Sequence, residues 1–488
     1  MNLQASTVLK TLSVAALLPV GGCRVGPDHA VPDLPVPPSW VSAPPIAEDA
    51  ARDRSWWTAF DDPMLTRLVE RARASNHSLD AAAARIEEAR AAVGIARADL
   101  LPNFNADGSA SGQRLSARSF EGFPLPPGTS PERDQEIYRA EFDASWELDL
   151  FGGNRRRVEA ARARLGGAEA AYRAALLSVT AETARVYLEL RGARERHRAL
   201  VHRIEALERL AGLVKDRRES GLATKADLAR ARADAAEARA GLPLVESEIR
   251  LRAYQLAGLT NRTPGEMTVL LGLTENLPTS ASDKARVPLP RWTQPGGRPL
   301  AAIRSRPDVA AAERRLAEAT AEVGVATAQL YPDISLSAAL FAEAGALPGL
   351  DRAANQGYAL TGSILAPLWQ GGRLRAQLHA AEAGRDAGVA EFLQTVLDAL
   401  VDIESALTAY HDARRHYDRR TEAHRAIRES TRSIEELYRS GLSQLIEVSS
   451  AQAQEARSAQ AVAEARTRLA TAAVRVNKAL GELEPGQK

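Results

Sequence analysis

The side chains that could carry covalent chemistry are few and isolated. The chain has 488 residues, with one cysteine, Cys23, and eight histidines. A single cysteine excludes an internal disulfide and any cysteine-based metal cluster. The histidines are scattered, and His411, His416 and His424 read as polar positions along one helix. There is no P-loop and no HExxH pair, and spacing nominates no Ser-His-Asp set. The expectation is a non-enzyme with no cofactor and no bound metal. Only Cys23 has a telling context. It follows Gly21 and Gly22 after the apolar stretch TLSVAALLPV at 11–20, and Lys10 is the only charge before Arg24. A positive residue, about ten apolar residues and a small-residue site read as a secretory signal, too short for the roughly 20 residues of a membrane-spanning helix.

That signal resembles a bacterial lipoprotein signal, in which the cysteine is acylated and becomes the first residue of the mature chain. Arg24 is not an acidic retention residue, so the resemblance implies delivery to an outer membrane. Residues 24–50 then hold seven prolines and should run extended. After WWTAF, Asp61 or Asp62 is placed to cap a helix with Pro63 in its first turn. The charge balance, 63 basic against 62 acidic residues, gives a net charge of +1 and no broad positive field for nucleic acid.

A second group of residues is defined by solvation. Over 138–150, YRAEFDASWELDL, Tyr138, Ala140, Phe142, Ala144, Trp146 and Leu148 alternate with Arg139, Glu141, Asp143, Ser145 and Glu147. One face is apolar and the other charged, with period two. The stretch covers the roughly 9–11 residues of a tilted membrane strand. Phe142, Trp146 and Leu148 are expected to face lipid, and Asp143 and Glu147 a water-filled lumen. Ile334, Leu336, Ala338 and Leu340 alternate in the same way with Asp333, Ser335, Ser337 and Ala339. Segments 102–112 and 358–368 are weaker strands, with outer loops near 113–136 and 343–357. Four strands cannot close a barrel, and open edges are forbidden in hydrocarbon, so several chains must share one.

The elements that position these strands are long helices. Residues 132–242 and 368–484 contain no proline. Val158, Leu165, Tyr172, Val179, Val186, Ala193, Leu200, Leu207 and Val214 recur every seven residues, as do Val389, Val396, Ile403, Tyr410 and Tyr417, a coiled-coil period. A continuous helix over 152–219 would be about 100 Å long. The order of elements also repeats. Residues 79–104 align without a gap to 309–334, DLFGGNRRR (149–157) to PLWQGGRLR (367–375), and SGLATKADLARA (220–231) to SGLSQLIEVSSA (440–451). Gly221 and Gly441 interrupt the helices at matching places and predict hairpin turns.

These features together resemble the outer-membrane efflux channel family (TolC-like), specifically its lipoprotein branch serving resistance-nodulation-division tripartite pumps. The resemblance rests on the lipobox ending at Cys23, CRVGPDHAVPDLPVPPSW, WWTAFDDPMLTRLV with ASNHSLDAAAARIEEAR, and the two copies of strand, glycine corner and long helix. It implies a mainly α fold with a membrane β-barrel: a homotrimer in which each chain gives four strands to a twelve-stranded barrel, continued by a periplasmic α-helical barrel with a small mixed equatorial domain. The organisation then reads as signal peptide 1–22, lipidated extended segment 23–60, first repeat 61–261, equatorial linker 262–300, second repeat 301–479 and tail 480–488. The implied function is passive conduction of small molecules to the exterior, with a periplasmic adaptor and a proton-driven inner-membrane pump as partners. Type I protein secretion and a lipid-anchored periplasmic scaffold are the alternatives. The resemblance also places a gate at the periplasmic tips, formed by Asp227, Tyr438 and Glu447. Ser450 stands where the family carries a second carboxylate and Ser443 where some members carry a latch arginine, leaving Lys225 or Arg439 as substitutes.

Overall fold

The computed structural model describes residues 24–34, 36–42, 55–116, 133–273, 286–291 and 299–481. Cys23, the signal segment and the centre of the first outer loop lie outside the described residues. The chain divides into two compact units, one of Met1–Pro32, Glu87–Gly167 and Glu313–Glu391, the other of Asp33–Ile86, Ala168–Ala312 and Phe392–Lys488.

The first unit contains one four-stranded antiparallel sheet in sequential order: β1 (Asn103–Arg114), β2 (Asp134–Glu147), β3 (Asp333–Ala344) and β4 (Gln356–Leu365). The strands run further outward than expected from the sequence, so the loops shrink to 115–133 and 345–355. β4 stops before Pro367, which has no N–H to give to a ladder. Opposite partners share a face, so the register sorts the side chains. Phe142 pairs with Leu340 and Trp146 with Leu336, while Asp143 pairs with Ala339 and Glu147 with Ser335. Among the described residues, β1 and β4 have no strand on their outer edges.

The remaining regular elements are helical, several with residues in both units. Asp62 is the N-cap of α1 (Pro63–Ser75), accepting from the amides of Met64 and Leu65 at 2.9 and 3.1 Å. Asp61 instead takes a left-handed conformation and pairs with Arg291. α2 (His77–Ala98) follows, and then α3 (Gly153–Glu219), a single helix of 67 residues. Alanine, leucine, arginine and glutamate fill it, and nothing in it removes a backbone donor. It turns into α4 (Lys225–Ala240) and α5 (Leu242–Leu259). Within 262–300 the described residues form α6 (Pro264–Leu270) and the start of α7 (Pro299–Ser305), with no strand among them. A Thr263–Glu266 capping box and Pro264 in the first turn start α6. The second repeat supplies α8 (Pro307–Ala328), α9 (Arg373–Arg439, again 67 residues) and α10 (Leu445–Ala479).

The heptad positions supply the core. Val186 and Ala193 are fully buried, as are Val396 and Ile403. Leu200, Ile204 and Leu207 of α3 pack on Ala235 and Ala238 of α4, with Ala453 of α10 against them. Small residues set the spacing: a methyl on Gly192 would lie 2.1 Å from the Thr467 hydroxyl of α10. The alanine-rich sequence thus lets helix axes approach closely.

Candidate channel site

The sheet presents two surfaces of opposite chemistry. On one face Phe104, Phe142, Leu340, Leu360 and Ile364 are all exposed, separated by alanine and glycine. Trp146 lies on this face, its indole N–H donating to the Leu100 carbonyl at 3.1 Å. Leu148 lies one residue beyond β2, where its amide still donates to the Ile334 carbonyl at 2.7 Å. The chain then turns because the Asp149 carboxylate accepts from the amides of Asn154 and Arg155, each at 3.0 Å, and caps α3. The opposite face holds a polar network. Asn105 donates to Asp143 at 3.1 Å, Arg139 to Glu141 at 2.8 Å, and Ser335 meets Ser363 at 2.6 Å. Ile137, Phe341 and Leu365 are apolar residues on that face, and the Arg139 guanidinium covers Phe341 at 4.9 Å. A sheet with both faces exposed, one dry in character and one wet, suits lipid outside and water inside.

The foot of β2 carries a feature that the sequence reading missed. Arg156 is 1 % exposed, and its guanidinium donates to the carbonyls of Val25 and Gly26 at 3.0 and 2.8 Å and to Asp28 and Glu159 at 3.1 and 2.8 Å. The Val25 amide donates to the Phe151 carbonyl at 3.2 Å. Residues 24–28 are therefore fastened beside the glycine corner. Only a glycine fits at Gly324, where an added methyl would lie 2.6 Å from Arg156. The signal was present in the repeat: Arg156 aligns with Leu374, an arginine where an apolar residue suffices. A second missed cluster surrounds Asp62. Tyr187 and Arg191 donate to its carboxylate at 3.0 and 2.6 Å. Burial pushes the Tyr187 hydroxyl well up, so it remains a neutral donor.

At the tips, Gly221 and Gly441 have φ of +73° and +77°. In each turn the glycine amide and the next amide reach back into the last helical turn, to Arg218 and Arg217 in one and to Tyr438 and Leu437 in the other. This is the Schellman closure, which needs a left-handed residue. The carboxylates expected at a gate have local partners. Asp227 accepts from the Thr224 amide at 2.9 Å and hydroxyl at 2.7 Å, while Thr224 Oγ1 accepts from the Asp227 amide, a capping box that starts α4. Glu447 accepts from the Ser443 hydroxyl and, at 3.2 Å, from the Gln444 amide, capping α10. The Thr224 hydroxyl and amide hold the Asp227 carboxyl below its usual range, and Ser443 with the Gln444 amide does the same for Glu447. Tyr438 is exposed at the end of α9, and no bond joins it to Asp227 within the chain. Lys225 is the first residue of α4, and Arg439 lies 4.0 Å from Glu435. Glu447 and Ser450 both line a groove of about 860 Å³ with Arg203 and Arg457.

Among the described residues no helix is long and apolar enough to cross a membrane. Residues 68–262 and 299–482 match the family described as outer membrane efflux protein. The chain is 32% identical over 423 residues to the pyoverdine export outer membrane protein OpmQ of Pseudomonas putida, covering 85% of this chain and 86% of that one. It is 32% identical over 410 residues to the outer membrane protein OprJ of Pseudomonas aeruginosa, covering 82% and 80%. Among solved structures, the outer-membrane channel OprN superposes with a TM-score of 0.81 at 31% identity, over 94% of this chain and 99% of that one. With its four-stranded sheet, its two long helices and its repeated glycine-closed tips, the chain belongs to the outer membrane efflux protein family, the TolC-like trimeric channels of the bacterial outer membrane whose helices face the periplasm.

Proposed function

We propose that this chain is the exit duct of a tripartite efflux pump, tethered by an acyl group on Cys23 and gated at the tips around Gly221 and Gly441. It is a non-catalytic outer-membrane channel component, working with a periplasmic adaptor and an inner-membrane transporter of the resistance-nodulation-division type. The observation that carries the duct is the sheet, whose dry face, wet face and two open edges make sense only when copies join around water. Conduction through such a duct is passive, so energy and most substrate choice belong to the inner-membrane partner. Relatives named for pyoverdine, toluene and antibiotics agree with a duct that passes small molecules of varied chemistry.

The gate assignment rests on position. Asp227, Tyr438 and Glu447 lie within one or two turns of the tips, where two hairpins per chain put six around a trimeric mouth. Asp227 and Tyr438 of adjacent hairpins form the latch, and three copies of Glu447 form an acidic ring that favours cations. The same reading takes 1–22 as signal, 23–60 as anchor segment, 61–261 and 301–479 as the repeats, 262–300 as the equatorial linker and 480–488 as a tail.

The test is conductance of the purified trimer in planar bilayers. Tyr438→Phe with Asp227→Ala is expected to raise single-channel conductance, and Glu447→Gln to lower cation preference. Because Asp227 also caps α4, Thr224→Val serves as the control: it removes the cap hydroxyl and leaves the latch. An unchanged conductance in the double variant, or an equal rise in Thr224→Val, removes the latch. A wild-type trimer that does not conduct removes the duct.

A further inference from the structure

The two glycine corners are equivalent in sequence but not in their surroundings. At the first, the Phe151 ring stacks on Tyr331 with centroids 4.6 Å apart and planes at 20°. At the second, Trp369, which aligns with Phe151, is 87 % exposed, and its neighbour Leu368 is 95 % exposed. An indole exposed at the corner between β4 and α9 is a large uncovered apolar surface. The repeat says what covers it. Tyr331 immediately precedes Pro332 at the start of β3, and the gap-free alignment of 79–104 with 309–334 makes Leu101, before Pro102, its counterpart. Leu101 is 66 % exposed.

We infer that Trp369 of one chain packs on Leu101 of the next copy, reproducing across the subunit boundary the Phe151–Tyr331 contact made within each chain. The strand edges agree. β2 pairs antiparallel with β3 directly above the first contact, through Glu147↔Ser335 at the foot. Their repeat counterparts are β4 and β1, the two edges left open. Antiparallel pairing of β4 with the β1 of a second copy brings the second corner to the foot of that copy's β1, where Leu101 lies. The parity of the pairing keeps Leu360 and Ile364 on the same face as the neighbour's Phe104, so the dry surface continues unbroken around the ring. The corners therefore alternate around the trimer: an aromatic–aromatic stack inside each chain, an indole–leucine contact between chains.

The inference rests on the trimeric reading, and its test separates the two. Trp369→Cys with Leu101→Cys, exposed to a short bis-maleimide, is expected to give cross-linked dimers and trimers on denaturing gels. Phe151→Cys with Tyr331→Cys is the matched control and links only within a chain. Cys23 is the only native cysteine, and acylation blocks it in the proposed mature protein. A native trimer with no intersubunit link in the first pair overturns the contact, whereas recovery of the wild type only as monomer overturns the trimer. A second measurement avoids cysteine. Leu101→Phe, which restores an aromatic pair, is expected to raise the dissociation temperature of the trimer by a few degrees in the wild-type background and not in Trp369→Ala. Equal shifts in both backgrounds overturn the contact.

Discussion

Single carboxylates in this chain do different work according to what faces them. Asp62 is enclosed: two α1 amides, the Tyr187 hydroxyl and the Arg191 guanidinium converge on it. Asp62→Ala removes the cap and the carboxylate partner of the partly buried Arg191, at an expected cost of about 2–4 kcal/mol. Heating the detergent-solubilised trimer and following helical circular dichroism should show earlier melting, and an unchanged transition would mean that the Tyr187 hydroxyl and the Arg286 carbonyl suffice to hold Arg191. Asp227 and Glu447, by contrast, are solvated, and their folded pKa values fall below the ordinary 3.8 and 4.5 because each accepts bonds from a helix start. The sign follows from linkage. A depressed carboxyl contributes stability above its unfolded value and loses that contribution as pH falls through the folded one. Amide exchange at 224–228 and 444–448, measured against residues deep in α3, is therefore expected to lose protection selectively as pH drops below about 4. Uniform protection across that range would show that the caps do not hold the tips.

At the scale of elements, strand β2 carries one dry face and one wet face. Trp146→Arg puts a charge on the dry face and is expected to reduce trimer recovered from outer membranes, since a lipid-facing arginine costs about 2–4 kcal/mol at the bilayer midplane and less near its rim. Asp143→Arg changes the wet face, where Asn105 already donates to that carboxylate, and is expected to assemble while shifting ion selectivity. Equal assembly of both variants would mean that the faces are reversed or the strand is not in the membrane. The long helices follow another rule. Their interiors are alanine with a seven-residue apolar seam, so they gain little from bulk and much from close approach, as at Gly192 against Thr467.

For the molecule as a whole, the open edges and the proposed anchor set the terms of assembly. Three chains of four strands remove every edge, and such a barrel holds the membrane far more firmly than one or two acyl chains. Mass spectrometry of the mature N-terminus is expected to find lipid on Cys23, and Cys23→Ser to lose the lipid while trimer remains in the outer membrane. An unmodified N-terminus at another residue would remove the anchor; a soluble Cys23→Ser protein would mean that lipid, not the barrel, retains the chain. Arg156 adds a mechanical element, because it docks residues 24–28 beside the glycine corner.

Periodicity was legible in the chain from the start. The alternation over 138–150, the seven-residue seam of α3 and α9, and the glycines that end them are local rules: side-chain direction repeats every two residues in a strand and every 3.6 in a helix, and a left-handed turn selects glycine. These rules, with the repeated order of elements, were enough to recognise the family. They could not say which polar groups meet. Asp62 as a cap is written in Asp-Pro, but its bonds to Tyr187 and Arg191 span more than a hundred residues and depend on how α1 lies against α3. Arg156 looks in sequence like one of three consecutive arginines, and only the folded corner shows it enclosed by residues 24–28. Asp227 and Glu447 stand in a pattern that suits both a cap and a gate. The tertiary structure supplied the capping partners, because a carboxylate's role is set by which donors come within about 3 Å, and that distance is decided by packing.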